Sequence, residues 1–437
     1  MARVIVWFFL SIFVQVINSD KPCAARDVGG ESVVCVCNAS YCDTISRTTP
    51  DDDEYIVYTS SRAGSRFKKS FGKFKTSEKV TCPVTFVLEL ENKHQIIEGF
   101  GAAITDSAAI NWMSLSSKLR QRFIDTYFSE KGIEYSMLRV PIGGTDFSRH
   151  KYAYNELPKN DMFLSNFTLS EEDNKYKIPM IKQAFAAARA PVHIVSTLWA
   201  PPSWMVETSN YTTCGRLQLK YFSTLADYHL NNLFAPPEQL TLISRSHPEK
   251  FILSTEFCEG TFVVFNYHHH ESSLSNVGAT PGQVPKVDLG SWTRLQSYIS
   301  NILTVHWNIC LDEQGGPAWN GNFVDSPVIV APSKGEFYKQ PMFYAMGHVS
   351  KFIPRGSYRI NIRTEKCNTT AVPESFSFVQ QEEVIQSAAF LTPYKTVVVV
   401  LHNKGPATTI GVQLQAQHAS INIEAESIVT VEFNNKS

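Results

Sequence analysis

Carboxylates and tryptophans at the ends of apolar runs are the residues of this chain best suited to chemistry. Glu256 closes the run Ile252-Leu-Ser-Thr-Glu-Phe257. As a strand end it would face the mouth of a barrel, although a surface ion-pair glutamate would give the same string. Trp199 and Trp204 bracket two prolines in Leu198-Trp-Ala-Pro-Pro-Ser-Trp204. Two rigidly spaced indoles suit stacking on sugar rings, and equally suit an ordinary core. Asp146 in Arg139-Val-Pro-Ile-Gly-Gly-Thr-Asp146 has the acceptor oxygens that sugar hydroxyls need. Asp106, after Gly99-Phe-Gly-Ala-Ala-Ile-Thr, reads best as a helix cap. Aromatics and carboxylates without a lysine-rich cleft point to a neutral, polyhydroxylated ligand.

Other chemistries find little support. Lys and Arg total 40 against 41 Asp and Glu, a net charge of -1. That balance excludes a basic nucleic-acid footprint and an acidic disordered tail. His268, His269 and His270 are consecutive, so they cannot share one face of a helix or strand, and no metal site is expected. The chain has no His-Glu-x-x-His, Walker loop or Gly-x-Ser-x-Gly. No cofactor is expected.

The elements that would hold these residues alternate through the middle of the chain. Ser116 to Phe128 carries Leu119, Phe123 and Tyr127 at spacing four, a helical face. Gly132 ends it, and Met137-Leu-Arg-Val-Pro-Ile142 resumes a strand. Lys177 to Ala190 reads as a second helix with Ile181, Phe185 and Ala188 inward. Pro191 to Ser196 and Lys250 to Thr255 read as further strands. Apolar strands separated by helices imply a parallel sheet with helical crossovers. Asp146, Trp199 and Glu256 follow such strands, where a (β/α)8 barrel places its active site. Both ends of the chain are strand-rich instead. The reading divides the chain into an N-terminal β segment (20–95), a barrel (96–345) and a C-terminal β-domain (346–437). The two end segments would pack together as a sandwich-like unit, giving an α/β protein of 437 residues.

Residues 1–19, with Arg3, an apolar run from Val4 to Val14 and small Ser19, read as a secretory signal peptide. Secretion permits disulfides among the nine cysteines. Cys23, Cys35, Cys37 and Cys42 cluster, and Cys35 and Cys37 are too close to bridge comfortably. A zinc quartet is the other reading, but Cys-x-Cys is the wrong spacing for a zinc knuckle. Cys82, Cys214, Cys258, Cys310 and Cys367 are odd in number, so at least one thiol is free. Sequons at Asn38, Asn166, Asn210, Asn368 and Asn435 suggest a glycoprotein.

Several strings together are specific. The N-terminal cysteine spacing, Gly99-Phe-Gly, Arg139-Val-Pro, Trp199-x-x-Pro-x-Trp204, Ser254-Thr-Glu256, Leu289-Gly-Ser-Trp292, Gly315-Gly-Pro-x-Trp319, Asn322-Phe-Val-Asp-Ser-Pro327 and Phe337-Tyr-Lys-Gln-Pro-Met-Phe343 resemble the acid β-glucosidase (glucosylceramidase) family of retaining glycoside hydrolases. The resemblance implies a (β/α)8 TIM barrel with a β-domain, and hydrolysis of glucosylceramide to glucose and ceramide. It makes Glu256 the nucleophile and gives Asp146, Trp199, Trp307 and Asn322 the glucose. It pairs Cys23 with Cys35 and Cys37 with Cys42. It also implies a lysosomal, membrane-associated protein helped by a saposin-type activator.

The departures bear on mechanism. Retaining hydrolysis needs two carboxyls, one attacking and one protonating the leaving oxygen. The family's second carboxyl lies in an Asn-Glu-Pro motif that this chain lacks; Asn155-Glu-Leu-Pro is not equivalent. Only 57 positions separate Trp199 from Glu256, where four βα units of about 30 residues are expected. Roughly two units are missing, from about Cys214 to Tyr228. The stretch Thr261 to Leu289 is longer than the family's loop, and the strand before Trp307 is short. Three expectations follow: a β-glucosidase by descent, a catalytically dead truncated isoform, or a pseudoenzyme that binds glycolipid.

Overall fold

The structure is a computed structural model, described over residues 20–76, 82–199, 201–207, 216–221, 287–292, 305–366 and 384–435. Residues 1–19, the Lys250–Thr255 run and the His268–His270 triplet lie outside these. Among the described residues, no helix is long and apolar enough to cross a membrane.

Four parallel strands lie side by side in the order Val305–His306, Gly101–Ala103, Met137–Ile142, His193–Leu198. They form an arc of barrel in which a late strand pairs with an early one. Helices α1 (Asp106–Ser114) and α2 (Ser117–Phe128) connect the first two strands in sequence. Helix α3 (Ile178–Ala187) leads to His193–Leu198. Gly101 makes the close strand approach possible, because a Cβ there would sit 1.9 Å from the Met137 carbonyl oxygen.

The α2 face is the one the spacing predicts, with Leu119, Phe123 and Tyr127 all buried. The α3 face is so only in part, with Ile181 and Ala188 packed against the core. Met180 and Ala184 are its buried residues, while Phe185 is 44% exposed. Buried Lys177 precedes them on the same face, at helical spacing. Its ion pairs with Asp106 and Asp173 set the helix's rotation, and hydrophobic periodicity carries no sign of that. Asp106 is likewise not the cap. Thr105 caps α1, its Oγ1 accepting from the Ala108 amide at 3.1 Å.

The second layer is a nine-stranded sheet containing Glu54–Ser61, Lys68–Lys73 and Val84–Ile96 beside six strands between Tyr358 and Asn434. Its ends meet where Lys75 and His418 exchange two backbone bonds, so the sheet curls back on itself. All eight residues of Thr396–Asn403 are buried. Val397, Val399 and Leu401 pack inside the curled sheet, whereas Val398 and Val400 face the barrel-side core. Burial on both faces explains why this run shows no alternation.

Helix α4 (Pro341–Ser350) spans the expected 345/346 boundary and is buried throughout. His348 on α4 bonds to Thr430 and Ser60 of the sheet. Within the expected 20–95 segment, Ala25–Arg26 and Val34–Asn38 do not join the curled sheet. They form a five-stranded sheet with Glu336–Lys339, Val328–Ala331 and Leu311–Asp312. Disulfides Cys23–Cys35 and Cys37–Cys42 pin this corner. The compact group Cys37, Cys42 and Asp43 is therefore no metal site, since both thiols are consumed. Cys82 and Cys310 are free and buried.

Candidate active site

The residues that follow the parallel strands converge. Trp199 comes directly after His193–Leu198, Trp307 directly after Val305–His306, and Asp146 four residues after Met137–Ile142. The Trp199 and Trp307 rings stack at 5.3 Å between centroids and 10° between planes. Asn322 Nδ2 donates to Asp146 Oδ2 at 2.9 Å. Of the four expected glucose-holding residues, the structure thus joins Trp199 to Trp307 and Asp146 to Asn322. Phe147 links the pairs, its ring meeting Trp307 edge-on at 6.0 Å. Glu256 lies outside the described residues.

The two tryptophans differ in what they offer a ligand. Trp307 is 2% exposed, held by Phe147 and by the Arg139 guanidinium 4.5 Å from its ring centre. Trp199 is 38% exposed and forms the accessible aromatic surface. Trp204 plays no part there. It is buried against Tyr221, and its indole N–H is spent on the Asn155 carbonyl at 2.8 Å.

Sequence reasoning did not assign a role to Arg139 or Trp319. Arg139 is fully buried, and its Nε donates to Thr197 Oγ1 at 2.9 Å. One arginine inside the apolar strand Met137–Ile142 was the available signal. Trp319 donates its indole N–H to the Thr145 carbonyl at 2.8 Å and leaves 47% of itself exposed beside Asp146. Nothing local in the sequence marks that contact.

Electrostatically the site is built from paired groups. Burial is the largest influence on Asp173 and favours its neutral form, but the Lys177 ammonium together with the hydrogen bonds of Lys177, Ser170 and Tyr154 outweighs it and holds the carboxyl below its usual range. Burial pushes Tyr152 and Tyr154 well up, so both act as neutral donors and acceptors. His306, wholly buried beside Tyr135, is pushed down to about 3 by desolvation. Two carboxylates lie beside the Trp204 loop. Glu207 is exposed in a two-residue strand, and Glu156 is spent on the Ser203 amide and hydroxyl. Of the sequons, Asn166 is exposed, and Asn38 accepts from Ser40 and Tyr41 in a turn. Asn210 and Asn368 lie outside the described residues.

The glycosyl hydrolase family 30 TIM-barrel domain matches residues 97–235 and 220–353, and the glycosyl hydrolase family 30 beta sandwich domain matches 356–431. The chain belongs to glycosyl hydrolase family 30. As a family-30 protein it is a glycosidase by descent, with a TIM barrel and a β-sandwich. It is 31% identical to lysosomal acid glucosylceramidase of Mus musculus over 502 aligned positions, covering 92% of this chain and 93% of that one. Putative glucosylceramidase 3 of Caenorhabditis elegans is 30% identical, with 83% and 88% covered. Solved structures share the fold at lower identity. SrfJ of Salmonella typhimurium matches with a TM-score of 0.69 at 14% identity, covering 88% of this chain and 100% of its own. The endo-β1,6-glucanase BT3312 gives 0.68 at 18%, with 89% and 100% covered.

Proposed function

We propose that this family-30 chain binds the glucose of glucosylceramide and descends from enzymes that hydrolyse it with retention, Glu256 being the nucleophile. The observation that carries the reading is the stacked Trp199–Trp307 pair beside Asp146–Asn322 at the C-terminal ends of parallel strands. An exposed indole face offers C–H stacking to a pyranose, and a carboxylate paired with an amide suits its hydroxyls. The named mammalian and nematode relatives support the lipid glucoside as substrate. The lysosomal mouse relative supports a secretory route to the lysosome; action at a membrane surface with a saposin-type activator is part of the proposal.

Catalysis by this chain is expected to be weak. Of 502 positions aligned to the mouse protein, 92% of 437, about 402, hold a residue of this chain. About 100 are gaps in it. The barrel match breaks into two segments meeting at 220–235, next to the stretch expected to be missing. Both facts support loss of the acid/base carboxyl. Without it, glycosylation by a substrate with a poor leaving group slows about 10²–10⁴-fold. An activated aryl glucoside needs no protonation and is spared in that step. Its glycosyl-enzyme then persists, because nothing activates water.

The test uses purified full chain with glucosylceramide and an aryl glucoside, beside its Glu256→Gln variant. The expected result is a burst of aryl release, slow glucose release, and acceleration by azide, which needs no base. Glucosylceramide turnover equal to that of a family member with both carboxyls would overturn the reading. So would an unchanged burst in Glu256→Gln.

A further inference from the structure

A buried polar cluster joins the start of α1 to the start of α3. Lys177 is 1% exposed, Asp106 2% and Asp173 5%. Lys177 Nζ lies 3.1 Å from Asp106 Oδ1 and 2.7 Å from Asp173 Oδ1. One ammonium serves two carboxylates, so other donors must satisfy the remaining oxygens if the cluster is to be stable away from water. Ser170 Oγ donates to Asp173 Oδ2 at 2.6 Å. Ser148 Oγ and Tyr152 OH donate to Asp106 Oδ2 at 2.6 and 2.9 Å.

Both donors to Asp106 belong to the loop that carries Asp146. Ser148 Oγ, anchored on Asp106, accepts the Thr145 amide at 2.9 Å, and Thr145 Oγ1 accepts the Phe147 amide at 2.9 Å. Trp319 grips the same turn from outside, its amide within 3.2 Å of the Asp146 and Ser148 carbonyls. The turn around Asp146 is therefore held between two clamps. The inner clamp depends on Asp106 Oδ2, which accepts from both donors while Lys177 sits on Oδ1.

We infer that Lys177 is a positioning residue for the ligand site: its ammonium balances Asp106, which through Ser148 and Tyr152 fixes the turn that aims Asp146 at Asn322 and the bound sugar. The assignment rests on the proposed role of Asp146. A lysine that merely filled space behind the barrel would have no link to this turn. Lys351 has no such link, being buried and bonded to the Glu130 and Gly132 carbonyls and to the Glu134 carboxylate at 3.3 Å.

The experiment compares the full chain with Lys177→Met, Ser148→Ala, their double variant and Lys351→Met. Amide exchange is read over residues 143–154. Affinity for a cationic iminosugar of glucose configuration is read by calorimetry. In Lys177→Met and in Ser148→Ala the Thr145 amide should exchange about tenfold faster or more, as expected for loss of a charge-supported bond, and in Lys351→Met it should not. Iminosugar affinity should fall about tenfold in each single variant and little further in the double, because both act through one chain of contacts. Exchange at 143–154 that is alike in Lys177→Met and Lys351→Met would overturn the inference. So would affinity losses that multiply in the double variant. Should Lys177→Met fail to fold, Lys177→Arg and Asp106→Asn decide through Thr145 exchange, which should stay slow in the first and quicken in the second; exchange left slow in Asp106→Asn would overturn the inference. Failure of the unaltered chain to bind iminosugar would overturn the glucose site instead, with the exchange comparison still deciding the clamp.

Discussion

Acid should loosen the joint between barrel and sandwich through His348. Its ring is fully buried on α4, with Nδ1 2.8 Å from Thr430 Oγ1 and Nε2 2.9 Å from Ser60 Oγ. Phe67 packs on it at 4.9 Å. Desolvation holds its pKa down at about 3, against 6.5 for an exposed histidine. Between those values the unfolded chain binds a proton that the folded chain refuses. The stability this neutral ring contributes is complete above pH 6.5 and is lost as pH falls towards 3. At pH 5 the gap is 1.5 units, which at about 1.36 kcal/mol per unit is a loss of about 2 kcal/mol. His306 and His402, pushed down by burial to about 3 and about 4, add losses of the same sign. Urea unfolding at pH 7 and pH 5, for the chain and for His348→Gln, isolates the single site. Glutamine cannot take the proton, so the stability gap between the two proteins should close by about 2 kcal/mol at the lower pH. A gap that does not change with pH would show that His348 is protonated in the fold or that water reaches it, and would refute the argument.

Trp307→Ala should cost about 3–5 kcal/mol of stability, as for other buried tryptophans. Trp199→Ala should cost far less but abolish iminosugar binding and the exciton-coupled far-ultraviolet dichroism of the stacked pair. Lys339→Met leaves the Asp43 carboxylate buried with, among the described residues, the Tyr344 hydroxyl to serve it, since Lys339 Nζ now lies 2.6 Å away. Chemical denaturation should register a loss of about 3–5 kcal/mol. Gly101→Ala drives a Cβ into the Met137 carbonyl at 1.9 Å, and the measured melting point should drop by the equivalent of about 3 kcal/mol.

Much of the secondary structure was legible because its causes are local. The period of Leu119, Phe123 and Tyr127 shows which side of α2 is buried whatever the partner is. The five-residue run Val397 to Leu401 is apolar throughout, and that already demands two covering layers, both of which the fold supplies. The α3 face was read correctly for Ile181 and Ala188 but not for Phe185, for an equally definite reason. Its orientation is set by a charged residue, Lys177, whose two partners cannot be seen from spacing. The first strands were grouped with the wrong sheet because a strand pattern says that a segment pairs, not with what. Val34–Asn38 finds Glu336–Lys339 almost three hundred residues away.

The candidate site divides along the same line. Sequence by itself determined which side chains follow the apolar strands, and so that Asp146 and Trp199 would stand at one end of a parallel sheet. Resemblance brought Trp307 and Asn322 to the same place. Only the tertiary structure decided that Asn322 bonds Asp146 across 176 residues, that Trp307 is covered while Trp199 is open, and that Trp204 turns away. Residue type and local period are properties of a few neighbouring positions, so the sequence states them directly. Stacking, burial and ion pairing depend on which distant segments the packed core brings within a few ångströms, and no local pattern encodes that distance.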